Sequence, residues 1–133
     1  MSKFLLSLLL VLASSYTSYI TIKPLFLPIE RIDKVLFSGL ALPFIATWGI
    51  AIFSVISFYL SLKCLISKCE YKNNIKLFYI SLFLGSIVGL GVNYSNYFFI
   101  IKPNNMVECP KKLGYKKNLM HDYVIDVSQC EKF

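Results

Sequence analysis

The chain has 133 residues, of which 56% are hydrophobic and 16% charged, and its formal net charge is +7. Soluble domains average about 25% charged residues, and a chain this short buries only about 60–70% of the surface its unfolded form exposes. A mean hydropathy of +0.63 therefore argues against an ordinary soluble domain, and it argues equally against disorder, which needs low hydrophobicity. What remains is an all-α membrane protein.

Spanning the bilayer takes about 20 mostly apolar residues. Three segments qualify, at about 4–22, 35–62 and 77–101, so that residues 1–101 form a three-helix transmembrane region and 102–133 a C-terminal tail. The second and third segments carry no Asp, Glu, Lys or Arg. Pro43 either kinks the second helix or marks its true start. The first segment has two readings. Lys3, an apolar run and the small residues Ala13, Ser14 and Ser15 resemble a secretory signal peptide cut after residue 15. Residues 16–22 remain apolar enough to complete a span, and the uncleaved anchor is preferred.

Both readings start the N-terminus in the cytoplasm. Alternation then puts residues 63–76 in the cytoplasm and the tail in the periplasm, across a bacterial inner membrane. The positive-inside rule conflicts with this. Lys3, Lys63, Lys68, Lys72 and Lys76 lie inside, whereas Lys23, Arg31, Lys34 and six tail lysines lie outside. The signal-like start and the cysteines favour the stated orientation.

Four cysteines form two local pairs, Cys64 with Cys69 and Cys109 with Cys130. With three spans the pairs lie on opposite sides of the membrane, so the pair on the oxidising side could form a disulfide and the other should stay reduced. A Cys109–Cys130 disulfide is expected, because a tail of about thirty residues needs a staple to hold a shape; the alternative is two unremarkable thiols. The pair at Cys64 should stay reduced. Two soft ligands there, with the single His121 across the membrane, do not make a four-ligand zinc site, and no cofactor is expected.

In the tail, Pro103 ends the third helix, while Pro110 and Gly114 mark turns. Leu119, Tyr123 and Val127 recur at helical spacing, with Asn118 as N-cap. This favours a short amphipathic helix over a strand at 123–127. Lys111, Lys112, Lys116 and Lys117, with Lys102, either contact anionic headgroups or an acidic partner, or simply stay solvated. Cations scattered over loops on both sides of a membrane do not make a nucleic-acid-binding face.

Within the third segment, Gly85 and Gly89 form a GxxxG motif, followed by Gly91. Such small residues let helix backbones approach closely. Packing within the chain is the simpler use; contact with another membrane protein is the alternative. Asn93 lies deep and needs a partner, for which a serine of the second helix is the candidate. Without intramembrane charges there is no sign of a pump or coupled transporter. With one His and no carboxylate pair near it, hydrolytic catalysis has no visible machinery, so the chain is read as not an enzyme.

The tail residues Glu108-Cys-Pro-Lys-Lys-Leu-Gly-Tyr-Lys-Lys-Asn-Leu, then Asp122-Tyr-Val and Ser128-Gln-Cys, resemble a family of small enterobacterial three-span proteins of unknown function with two cysteines in the tail. The resemblance implies a cell-envelope location and no activity. In size, span number and richness in Phe, Ile, Tyr, Lys and Asn the chain is also similar to immunity proteins against pore-forming bacteriocins. That similarity implies binding of a toxin's membrane helices, through Gly85, Gly89 and the tail. The other expectation is an accessory or structural subunit of an envelope complex.

Overall fold

The computed structural model describes residues 2–68, 75–110 and 119–130. It is 73% helical. Three helices are long and apolar enough to cross a membrane. The first, α1 (Ser2–Ile22), continues into a 3₁₀ turn, Lys23–Phe26. The second is α2 (Leu42–Ser67). The third, α3 (Ile75–Ser95), runs on through a wide π-helical turn, Asn96–Ile101. Only 17–22% of the residues across the three apolar stretches are buried inside the protein. In water that would be an inverted protein; in lipid the leucines and phenylalanines of the outer faces already have their solvent.

The array is layered. α2 lies between α1 and α3, which barely touch each other. Against α2, α1 turns a polar stripe: Ser7, Ser14, Ser18 and Thr21 are buried while Leu5, Leu6, Leu9 and Leu12 face outward. Burial of hydroxyls is tolerable because Ser7, Ser14 and Thr21 donate to carbonyls one turn back, at 2.8, 3.2 and 2.7 Å. The small side chains bring the helices close, which is how helices associate where water exerts no drive between them.

α3 packs through a second stripe. Ser81, Gly85, Gly89, Asn93, Asn96 and Ile100 are all buried, and their spacing of four, four, four, three and four places them on one helical face. A methyl group on Gly85 would collide with the backbone of Gly49, and one on Gly89 would sit 2.8 Å from Ile45 N and Phe44 O. Four residues up α3 therefore meet four residues down α2, the register of antiparallel helices in backbone contact. Packing within the chain is what Gly85 and Gly89 do. Gly91 points elsewhere: a methyl group there would meet nothing within 4 Å.

The second span begins later than the apolar run suggests. The sequence places it at 35–62, whereas the helix starts at Leu42 and extends to Ser67. Residues Val35–Phe37 are instead a strand, β1. Pro43 marks the start of the helix, in its first turn, where its missing N–H has no partner to lose. Ahead of it, Ala41 adopts a left-handed conformation (φ 53°) and donates to Ser38 O at 3.1 Å, closing a turn. At the other end Lys68, also left-handed, caps the helix through its N–H to Cys64 O.

The tail also differs from expectation. Residues His121–Val124 form a strand, β3, where the spacing of Leu119, Tyr123 and Val127 suggests a helix. β3 is the centre of a three-stranded antiparallel sheet, with β1 on one side and β2 (Val107–Glu108) on the other. Val35 faces Tyr123, Phe37 faces His121, and Val107 faces Val124. Tertiary pairing decides here: β1 and β2 offer backbone partners to the β-branched and aromatic residues of this stretch, whereas an isolated helix of about ten residues is marginal in water. Beneath the sheet Ile32, Val35, Ile100, Ile101 and Met106 form a buried cluster, ringed by Leu25, Leu27, Phe37, Tyr97 and Tyr123.

Candidate functional site: the cap over the helix ends

The segment between α1 and α2 and the segment after α3 thus combine into one cap. Cys109 and Cys130 are disulfide-bonded across it, with Cα atoms 5.7 Å apart, as the sequence leads one to expect. The bond ties the end of β2 to the short 3₁₀ turn Val127–Gln129, which Asp126 caps by accepting from Ser128 N. Cys64, in the last turns of α2 at the opposite end of the array, is also disulfide-bonded. The expectation of a reduced pair at that end is therefore not what the structure holds. Cys69 lies outside the described residues.

Two asparagines of α3 and its π-helical extension anchor the cap. Asn93 accepts from Ser38 N at 3.0 Å and donates to Ser38 O at 2.8 Å. The carboxamide thereby imitates a neighbouring strand for a residue in the turn into α2. Its partner is a backbone, not the serine hydroxyl of the second helix that the sequence suggests: at that depth the chain is not yet helical, so the Ser38 N–H needs an acceptor, and Ser38 O accepts from Asn93 as well as from Ala41 N. Asn96 donates to Thr21 O at 3.0 Å, satisfying a carbonyl at the end of α1. Both asparagines are fully buried. Nothing in the sequence alone marks Asn96 for this role, although its three-residue spacing from Asn93 places both on one face.

An aromatic knot sits above these anchors. The ring of Phe37 lies 4.9 Å from that of Tyr97, 6.2 Å from Tyr123 and 6.3 Å from Tyr94. On the face of the sheet shared with Val35 and Phe37, Glu108 pairs with His121, and Tyr123 Oη donates to Glu108 Oε2 at 3.4 Å. Burial, and then the adjacent Glu108 carboxylate, push the Tyr123 phenol above its ordinary range.

On the other flank the cap and the end of α1 enclose a groove of about 510 Å³. Lys23, Arg31 and Lys34 line it, with Asp33 and Asp122. Lys34 lies 3.9 Å from Asp122. Ile20, Pro24 and Leu27 supply the apolar wall beside α1, and the Cys109–Cys130 bridge lies on the opposite side. In the sequence these cations bear only on topology. Nothing local marks them as a site, because the groove exists only once β3 has folded back onto β1.

Of the residues singled out in the sequence, Cys109 and Cys130 meet in the cap, and Gly85, Gly89 and Asn93 lie on the seam that carries it. Gly91 faces away. Lys111, Lys112, Lys116, Lys117 and Asn118 lie outside the described residues. Among the described residues no three His, Cys, Asp or Glu side chains gather as metal ligands do.

Fold and site together define a small three-span membrane protein with a disulfide-stapled β cap on one end. Comparison with family models, with curated proteins and with solved structures gave no match.

Proposed function

We propose that the chain is an inner-membrane binding protein, its N-terminus cytoplasmic and its cap periplasmic, and that its most concrete role is immunity against a pore-forming or membrane-targeting toxin. The observation that carries the reading is the cap itself. Two segments far apart in sequence are joined by a sheet and two buried asparagines into one shaped surface at the membrane boundary, with a disulfide across it. A surface held this firmly suits recognition, because little conformational freedom is left to lose on binding.

The route of lateral contact differs from the one the sequence suggests. Gly85 and Gly89 are occupied by α2. The face of α3 left for a toxin helix carries Leu84, Ile87, Gly91, Tyr94 and Phe98, alternating by three and four residues, with the four large side chains exposed. Gly91 at its centre permits close approach. The cap disulfide supports a periplasmic cap. In this orientation the Cys64 bridge stands on the side where thiols are kept reduced.

The test is expression in sensitive cells challenged with a panel of pore-forming bacteriocins. Protection against one of them is expected, to be lost in Gly91→Leu while the protein still inserts. Crosslinking and co-purification during normal growth provide the contrast. A stoichiometric host partner would instead make the chain an accessory subunit of an envelope complex.

A further inference from the structure

The groove beside α1 has a composition that a protein-contact surface does not require. Its position is set by the fold. Ile20 lies near the end of the first candidate span, Phe4–Phe26, and Lys23 and Pro24 in its last turn, so the groove opens at the level where hydrocarbon gives way to water. Its volume, about 510 Å³, is that of a small-molecule site.

The charges are unevenly used. Lys34 is engaged by Asp122. Among the described residues, Lys23 and Arg31 have no carboxylate partner and Asp33 has no cation. Two cations against one acid leave the groove one positive charge in excess. Arg31 presents a fork of donors that matches phosphate oxygens, and Lys23 a point charge. Asp33 is an acceptor for a headgroup hydroxyl. Toward the bilayer, Ile20 and Leu27 continue into the outward leucines of α1, a surface for acyl chains.

We propose that this groove binds the headgroup of an anionic phospholipid, with Lys23 and Arg31 on the phosphate and the acyl chains lying along α1. The site does not rest on the partner reading above; it would hold equally in a toxin-binding protein or an envelope subunit.

Native mass spectrometry of the full chain in a neutral detergent tests it, with phosphatidylglycerol as the probe and phosphatidylcholine as comparison. Phosphatidylglycerol should be retained in preference. Replacing both cations (Lys23→Gln with Arg31→Gln) should weaken retention by at least about tenfold, since two charge-assisted contacts are lost. Lys63→Gln, at the far end of α2, should leave it unchanged. A photoactivatable phosphatidylglycerol should mark residues 20–34 in the unsubstituted chain. Undiminished retention by the double variant, equal retention of phosphatidylcholine, or adducts confined to other segments would overturn the proposal. So would displacement of the lipid by an equal concentration of inorganic phosphate, which would make the site a phosphate site and not a lipid one.

Discussion

Asn93 hydrogen-bonds both the N–H and the C=O of Ser38, fifty-five residues away, with a single side chain. The pairing holds the loop before α2 against α3 at the level where the helices leave the membrane and the cap begins. It serves as a hinge pin between two environments. On one side the chain packs through small residues in lipid, and on the other through a sheet and an aromatic knot in water.

Breaking that pairing should loosen the cap without unseating the helices. In Asn93→Ala the Ser38 N–H loses its acceptor while Ser38 O keeps its bond from Ala41 N, at a cost of roughly 1–3 kcal/mol. Asn93→Asp should be worse, because a carboxylate cannot donate to Ser38 O and would be buried charged. Thermal unfolding in detergent measures the loss. Hydrogen exchange should show it concentrated at Val35–Phe37 and His121–Val124.

The glycines of α3 should separate cleanly by position. Gly85→Ala drives a methyl into the backbone of Gly49, which has no side chain to move aside. A cost of about 1–3 kcal/mol is expected from overpacking. Gly91→Ala meets nothing within 4 Å and should be neutral or stabilising by up to about 1 kcal/mol, the helix preference for Ala over Gly. Equal melting shifts for the two variants in the same detergent would contradict the α2–α3 seam.

Removing the cap bridge should affect the cap alone. The sequence separation of Cys109 and Cys130 is 21, and the entropy of closing such a loop is worth about 3 kcal/mol. Cys109→Ala with Cys130→Ala should leave insertion intact and expose the cap to protease. In intact cells, a membrane-impermeant maleimide should label Cys109 and Cys130 of the parent protein only after reduction. Labelling only after the cells are opened would invert the orientation and place the cap in the cytoplasm.

Tyr123 gives the cap a dependence on alkaline pH. Its phenol is raised above the ordinary value of 10.0, first by burial and then by Glu108. The folded state therefore holds the phenolic proton more tightly than the unfolded state. The associated stability is complete below the ordinary value and is lost as pH rises through the raised one. Cap stability, followed by hydrogen exchange or protease resistance, should fall on going above pH 10 more steeply in the parent than in Tyr123→Phe. Identical slopes would remove Tyr123 as the cause.

The sequence alone determined that this is a membrane protein with three apolar spans, because the length and charge of each segment admit few other solutions at this size. It also determined the glycine motif and the pairing of Cys109 with Cys130, both of which are local in spacing. Pro43 correctly offered a helix start. Tertiary structure decided what periodicity could not see. Val35, Leu36 and Phe37 read as the beginning of a span, since hydropathy does not distinguish a buried strand from a buried helix turn. Residues 121–124 read as helix, since the strand there forms only against partners from 35–37 and 107–108. The partner of Asn93 and the groove of Lys23 and Arg31 follow from that same long-range pairing. Spans are set by the free energy of each segment in lipid, which its own residues fix; the cap is set by hydrogen bonds between segments far apart in sequence, which no segment carries by itself.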